Sequence, residues 1–329
     1  MQQHDVVVVG AGQAGLSLSA ALAARGIDHV VLERDRIGAT WAGRWDSFCL
    51  VTPNWAIDLT GGGYDGDDPD GYMPREDIVA FFERYATNAQ APVQTGTQVT
   101  AVRAVDQGFE LDTSDGTVRT RVLAAATGAF QRPVRPEGLA GLPADVEVLD
   151  AKGYTRPEAL PDGGVLIIGS GQTGVQLAEE VHESGRDVVL ACGRAPWMSR
   201  RIGDHDLVWW LYNSGYLDVM ASELPPAMRL LSNPLTTGHG GGHDLHYRTL
   251  QRSGVTLTGR FATVDGSQVR FDDDLAACVA FGDARRQDLA DWFMRWARAE
   301  GHDVVDLEAP EPFVCNPPTS LPVSARTQP

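Results

Sequence analysis

Cysteine is scarce in this chain. Its 329 residues hold four, Cys49, Cys192, Cys278 and Cys315, too widely spaced for a zinc knuckle or a C-x-x-C redox pair. That excludes an enzyme passing electrons through an adjacent dithiol and leaves the thiols as buried or incidental. Basic charge is short as well: 27 Lys plus Arg stand against 44 Asp plus Glu, a formal net charge of −17. Such a balance offers no extended basic surface, so nucleic acid is not an expected partner. No apolar stretch is long enough to cross a bilayer, and the chain enters a strand almost at once, without the basic start and apolar run of a secretory leader. The expectation is a cytoplasmic protein with no membrane partner.

What is abundant is glycine, and it is patterned. Asp5-Val6-Val7-Val8-Val9-Gly10-Ala11-Gly12-Gln13-Ala14-Gly15 reads as strand, tight turn and helix. The valine run is apolar on both faces, as in a strand buried inside a parallel sheet. Gly10 permits the sharp turn, Gly12 leaves room for a pyrophosphate against bare backbone, and Gly15 lets the helix approach the strand. The N–H groups of the helix start, at Gln13 and Ala14, then face the phosphates. A second strand, His29-Val30-Val31-Leu32, ends in Glu33, about 20 positions past the glycines, where a carboxylate accepts hydrogen bonds from ribose hydroxyls.

The pattern returns at Val165-Leu166-Ile167-Ile168-Gly169-Ser170-Gly171-Gln172-Thr173-Gly174. At a constant offset of 159 residues, Gly10, Gly12, Gln13, Gly15, Gly26 and Asp28 fall on Gly169, Gly171, Gln172, Gly174, Gly185 and Asp187. Length allows about two domains, and each holds one such unit, so the chain is expected to bind two dinucleotides. The units differ where the ribose is read. Glu33 falls on Cys192, followed by Gly193 and Arg194, with Arg200 and Arg201 close behind. An acid there repels a 2′-phosphate, whereas a guanidinium forms charge-assisted bonds to it; the second unit therefore reads as a site for NADP(H).

Between the units, residues 34–46 hold two tryptophans and three arginines, either a binding loop or aromatic cover for a sheet edge. Leu50 to Trp55 form a second aromatic turn. Residues 60–75 have the composition of a calcium loop without its ligand spacing. A helix is expected over Arg75–Thr87, with strands near Val99–Val105, Phe109–Thr113 and Val118–Ala126. Beyond the second unit come an aromatic helix near Leu207–Tyr212, then His239, His243 and His246. No cysteine or carboxylate completes a recognisable metal-ligand set with these histidines, and no metal is expected. A strand at Val255–Thr258, a hairpin through Gly266 and a helix over Asp283–Glu300 follow.

Together these motifs resemble the flavin-containing monooxygenase-like family, from Val6 to about Phe313. Gly10 to Gly15, Arg44-Trp45-Asp46, Ala126 to Pro133 and Gly169 to Gly174 carry the likeness. It implies an α/β fold of two Rossmann-type domains, an FAD domain with an inserted NADPH domain, in three-layer ββα/βαβ architecture. By that match FAD lies on Gly10 to Gly15, its adenosine ribose on Glu33 with Arg34 beside it and its adenine edge near Val99. The loop holding Trp41, Arg44, Trp45 and Thr52 covers the isoalloxazine, and Thr127 and Gly128 form the crossover. Residues 1–155 would be the FAD domain, 156–275 the NADP(H) domain, 276–308 a helical return to the first, and 309–329 a disordered proline-rich tail.

The implied activity is oxidoreduction of the monooxygenase kind. The flavin takes a hydride from NADPH, then dioxygen to give a C4a-hydroperoxide that oxygenates a small organic substrate. No catalytic side chain is assigned, because the protein's part is placement and water exclusion. Two departures stand out. The histidine of the family fingerprint F-x-G-x-x-x-H-S is missing, its place taken by Leu139-Ala140-Gly141 and then Asp150-Ala151-Lys152, which keeps open an NADPH:acceptor reductase or oxidase. The strand and second T-G crossover that return the chain to the FAD domain are also not recognised after Phe313. The expectation is a C-terminally shortened homologue, with a cofactor-poor, inactive form as a further alternative and the oligomeric state open.

Overall fold

The computed structural model describes residues 2–144, 146–226, 228–229 and 233–323. The chain divides into two compact units, Met1–Val134 and Arg135–Pro329.

In the first unit the strands are β1 (Gln2–Val9), β2 (His29–Leu32), β3 (Asp58–Leu59), β4 (Gly62–Gly63), β5 (Val93–Gln94), β6 (Val99–Val105), β7 (Gly108–Thr113) and β8 (Gly116–Ala125). The helices are α1 (Gln13–Ala23), α2 (Ala39–Ala42) and α3 (Arg75–Asn88). Six strands form one sheet in the order β5-β2-β1-β8-β7-β6. β1 runs parallel to β2 and to β8, with Val7 opposite Val30 and Leu123, and β6-β7-β8 is an antiparallel meander. The valine run is central, as its two-faced apolarity requires: Val7 and Val8 are fully buried. α3 buries Ile78, Phe81, Phe82 and Tyr85, a helical-period stripe.

The second unit contains β9 (Val165–Ile168), β10 (Val188–Ala191), β11 (Arg201–Ile202), β12 (His205–Asp206), β13 (Thr256–Thr258), β14 (Phe261–Asp265), β15 (Gln268–Phe271) and β16 (Ser320–Pro322). Its helices are α4 (Gln172–Glu183), α5 (Leu207–Asn213), α6 (Tyr247–Ser253) and α7 (Leu275–Glu300). A parallel sheet runs β13-β10-β9, with Leu190 opposite Ile167 and Leu257. The two Rossmann-type units are thus present.

The boundaries differ from expectation. Residues 135–155 belong to the second unit, where the Val264 amide donates to the Gly138 carbonyl at 3.0 Å. α7 is longer than its periodicity suggested and packs within the second unit. Leu289, Phe293 and Ala297 share a core with Ile202, Trp210 and Leu211, so this helix is not a return to the first. The tail is also ordered as far as it is described. β16 pairs with β15, with Leu321 opposite Val269, and Leu321 and Val323 pack near Phe271. Pro322 is tolerated because β16 is an edge strand. Residues 324–329 lie outside the described set. No helix among the described residues is long and apolar enough to cross a membrane.

Candidate functional site

The first glycine turn uses its glycines for three different reasons. Gly10 leaves β1 at φ +106°, where a Cβ would stand 2.4 Å from the Ala126 carbonyl oxygen. A Cβ on Gly15 would lie 1.9 Å from the Gly10 oxygen, so α1 sits against the turn itself. Gly12 is different: its φ is an ordinary −82°, and a Cβ there would meet nothing within 4 Å. That open face lies at the start of α1, which has no acidic residue in its first turn and no side-chain cap, so its leading N–H groups are left for an anion. Gln13 and Ala14 are exposed there.

Glu33 is held in place by backbone. Its Oε2 accepts the Ala11 N–H at 2.8 Å and its Oε1 the Asp35 N–H at 3.0 Å. A carboxylate has about four acceptor sites, so the two remaining can take ribose hydroxyls.

The tryptophan loop serves mainly as protein cover. Trp41 stacks on Phe82 of α3, centroids 6.2 Å apart, and Trp45 is buried edge-on to Phe48 at 4.9 Å. Arg44 is the exception. Its guanidinium lies over Phe48 at 5.5 Å, burial lowers its pKa, and its buried Nε has no hydrogen-bond partner among the described residues. A buried donor left so is a point at which an acceptor from outside the chain, water included, can bind. Arg34 is engaged with Gln131 at 2.7 Å. Thr52, Thr127 and Gly128 are exposed, whereas Val99 packs against the sheet core beside Val7 and Leu111.

The second turn repeats the first. Gly169 has φ +102°, Gly171 faces open space, and a Cβ on Gly174 would lie 1.9 Å from the Gly169 oxygen. Thr173 stands half-buried in the first turn of α4. Gln172 hydrogen-bonds the Thr236 carbonyl and accepts the Thr236 N–H at 3.4 Å. Where the first unit has Glu33 the second has Cys192, fully buried, its thiol pKa pushed up by desolvation. Arg194 is exposed, with its guanidinium over Phe281 at 5.6 Å.

The other two arginines part company with Arg194. Arg200 is only 2% exposed and its Nε binds Asp206 Oδ2 at 2.8 Å. A guanidinium so paired is an internal ion pair, not a reader of phosphate. Arg201 is exposed and donates to the Asp204 carbonyl at 3.0 Å.

The histidines do separate jobs. His243 Nε2 lies 2.7 Å from Glu179 Oε1, which raises its pKa. His246 caps α6 and packs tilted against Trp197, ring centroids 4.2 Å apart. His239 is exposed. No group of three or more His, Cys, Asp or Glu among the described residues is arranged to hold a metal.

Sequence reading missed Tyr247. Its hydroxyl lies 2.5 Å from Ser170 Oγ and donates to the Gly193 carbonyl at 2.6 Å. Nothing local signals this contact, because Ser170 and Tyr247 stand 77 positions apart.

Two glycine turns of matching geometry, each joining a strand with a parallel neighbour to a helix, make two Rossmann-type units. The chain belongs to the pyridine nucleotide-disulphide oxidoreductase family, whose model matches residues 7–211. It is 31% identical over 277 residues to an uncharacterized CzcO-like oxidoreductase of Geobacillus kaustophilus, covering 83% of this chain and 77% of that one. An indole-3-pyruvate monooxygenase of Oryza sativa subsp. japonica is 30% identical over 189 residues, 54% of this chain and 45% of that one. Among solved structures a flavin monooxygenase from Stenotrophomonas maltophilia superposes with a TM-score of 0.64 at 23% identity, over 83% of this chain and 75% of that one. The expected likeness to flavin monooxygenases is borne out. The family's name speaks of disulphides, yet all four cysteines here are free, and burial pushes Cys278 up to about 11.

Proposed function

We propose that the chain holds FAD on its first glycine turn and NADPH on its second, and oxygenates a small organic molecule with dioxygen. The observation that carries this reading is the pair of matching turns with opposite ribose readers, the carboxylate of Glu33 in one and Arg194 beside the neutral thiol of Cys192 in the other. The residues present fit both groups. Gly12 and Gly171 leave open backbone for pyrophosphate, and the buried Arg44 Nε–H lacks an acceptor that a ligand can supply.

A bound flavin supplies hydride acceptance from NADPH and reaction with dioxygen. The chain's own residues bind and orient. The N-termini of α1 and α4 face phosphate charge, Glu33 receives ribose hydroxyls, and Arg194 pairs with the 2′-phosphate. Trp41 and Trp45, packed on Phe82 and Phe48, keep the loop carrying Arg44 in place.

A second reading, NADPH-dependent reduction of an acceptor without oxygen insertion, is favoured by one observation. The segment where the family carries its fingerprint histidine is a short turn at Leu139–Gly141, with no histidine in it.

The visible spectrum of the purified protein, recorded with and without NADPH, tests cofactor binding, with a bleachable flavin band expected. Absence of flavin after reconstitution overturns the reading. Oxygen from labelled dioxygen incorporated into candidate substrates per NADPH separates the two activities: oxygenation incorporates up to about one oxygen atom per NADPH, whereas an acceptor reductase incorporates none and an oxidase without substrate turnover releases about one peroxide per NADPH. Arg194→Ala should raise the NADPH KM about ten- to a hundredfold and leave NADH little changed.

A further inference from the structure

In the first unit the phosphate turn and the ribose-reading strand end are tied together by one bond to a side chain, from the Ala11 amide to Glu33. The second unit cannot make it, because Cys192 stands where the carboxylate would be. A different tie takes its place, at the position matching Ala11. The Gly193 N–H donates to Ser170 Oγ at 2.8 Å, Ser170 Oγ lies 2.5 Å from the Tyr247 hydroxyl, and that hydroxyl donates to the Gly193 carbonyl at 2.6 Å.

The protons in this ring have one arrangement. A carbonyl only accepts, so the single Tyr247 proton goes to Gly193, and the Ser170 hydroxyl must then donate to the Tyr247 oxygen. Ser170 and Tyr247 are buried at 4% and 5% exposure, and burial pushes the Tyr247 phenol above its usual range, so it stays a donor. Every donor in the ring has its acceptor. The ring closes on Gly193, the residue immediately before Arg194.

We infer that Tyr247 is a positioning residue for coenzyme selectivity: through Ser170 and Gly193 it sets Arg194 against the phosphate turn, so that the site takes an adenosine ribose carrying a 2′-phosphate. This rests on the NADPH reading of the second turn. The pyrophosphate contact does not depend on the ring, because Gly174 packs against Gly169 without it. Loss of the ring should therefore cost affinity for the 2′-phosphate and spare the rest.

The test is binding of 2′,5′-ADP and of ADP to the flavin-loaded protein, by calorimetry, for the unaltered chain, Tyr247→Phe and Ser170→Ala. Each variant breaks the ring at a different atom. The expected result is about a tenfold loss for 2′,5′-ADP in either variant, with ADP within about twofold in Tyr247→Phe, which lies outside the phosphate turn, and a double variant no worse for 2′,5′-ADP than the weaker single. Equal losses for both ligands, no loss for either, or failure of both variants to fold would overturn the inference, since Tyr247 would then serve only the fold or nothing. If the unaltered chain does not prefer 2′,5′-ADP, the NADPH reading itself falls and this inference with it. If that preference persists undiminished in Tyr247→Phe, only the inference falls.

Discussion

The backbone amide of Ala11 donates to Glu33 Oε2 at 2.8 Å, joining two residues 22 positions apart. The bond fixes the carboxylate at the edge of the first glycine turn, where it is half-buried. Glu33→Gln keeps an acceptor for the Ala11 amide while losing the charge and the acceptor of the exposed Asp35 amide, so the turn should survive. FAD affinity should fall by about 1.5–3 kcal/mol or less, the contribution of a hydrogen bond to a charged group. A titration of the apoprotein with FAD checks it, and unchanged affinity would remove Glu33 from the site.

Gly12 and Gly15 should behave oppositely. Gly12→Ala places its methyl in open space at an ordinary φ, so thermal stability of the apoprotein should stay within about 0.5 kcal/mol while FAD binding is impaired. Gly15→Ala drives a methyl to 1.9 Å from the Gly10 oxygen, which should destabilise by about 3 kcal/mol or more. Unfolding curves alongside FAD titrations separate the two. Equal behaviour would contradict the division of labour in the turn.

Arg200 is a stability residue. It is buried against Asp206, and Asp206 also caps α5 by accepting the Val208 N–H at 2.7 Å. Arg200→Ala leaves that carboxylate buried without its partner and should destabilise by about 3–5 kcal/mol. The ratio of NADPH to NADH use should not change. A stable variant with lost NADPH preference would instead return Arg200 to the coenzyme site.

Acid should weaken the fold through His246. Burial first, then the nearby Arg248 and Arg252, lower its pKa to about 3, against about 6.5 in an unfolded chain. The folded value is the lower one, so the stabilisation is fully present above about pH 6.5 and is lost as pH falls toward 3, on the order of 5 kcal/mol in all. His243 has the other sign: Glu179 raises its pKa, and its contribution is present below about pH 6.5 and lost as pH rises through the folded value. Urea unfolding between pH 4 and 8 measures both. In His246→Asn, which keeps a capping acceptor, the acid limb should flatten.

Both strand-turn-helix units could be read from residues alone, because their signals are local. An apolar run, a glycine at the turn and a helix start without a cap are written over about ten consecutive residues, and Val6–Gly15 and Val165–Gly174 both carry them, although only the first strand is buried on two faces while β9 is a half-buried edge. Tertiary structure alone separated Arg194 from Arg200. Both follow β10 closely, and only the pairing of the Arg200 guanidinium with Asp206, with Asp244 accepting the Arg200 backbone N–H, holds one guanidinium inside while the other remains exposed. The same holds for Tyr247, whose role depends on a contact across 77 positions, and for Ser320–Pro322, a proline-bearing segment that is a strand only because β15 offers it an edge. Periodicity and turn chemistry are written over neighbouring residues. Burial and the partner of a polar group depend on which distant segments the fold brings together, and no short window of sequence holds that information.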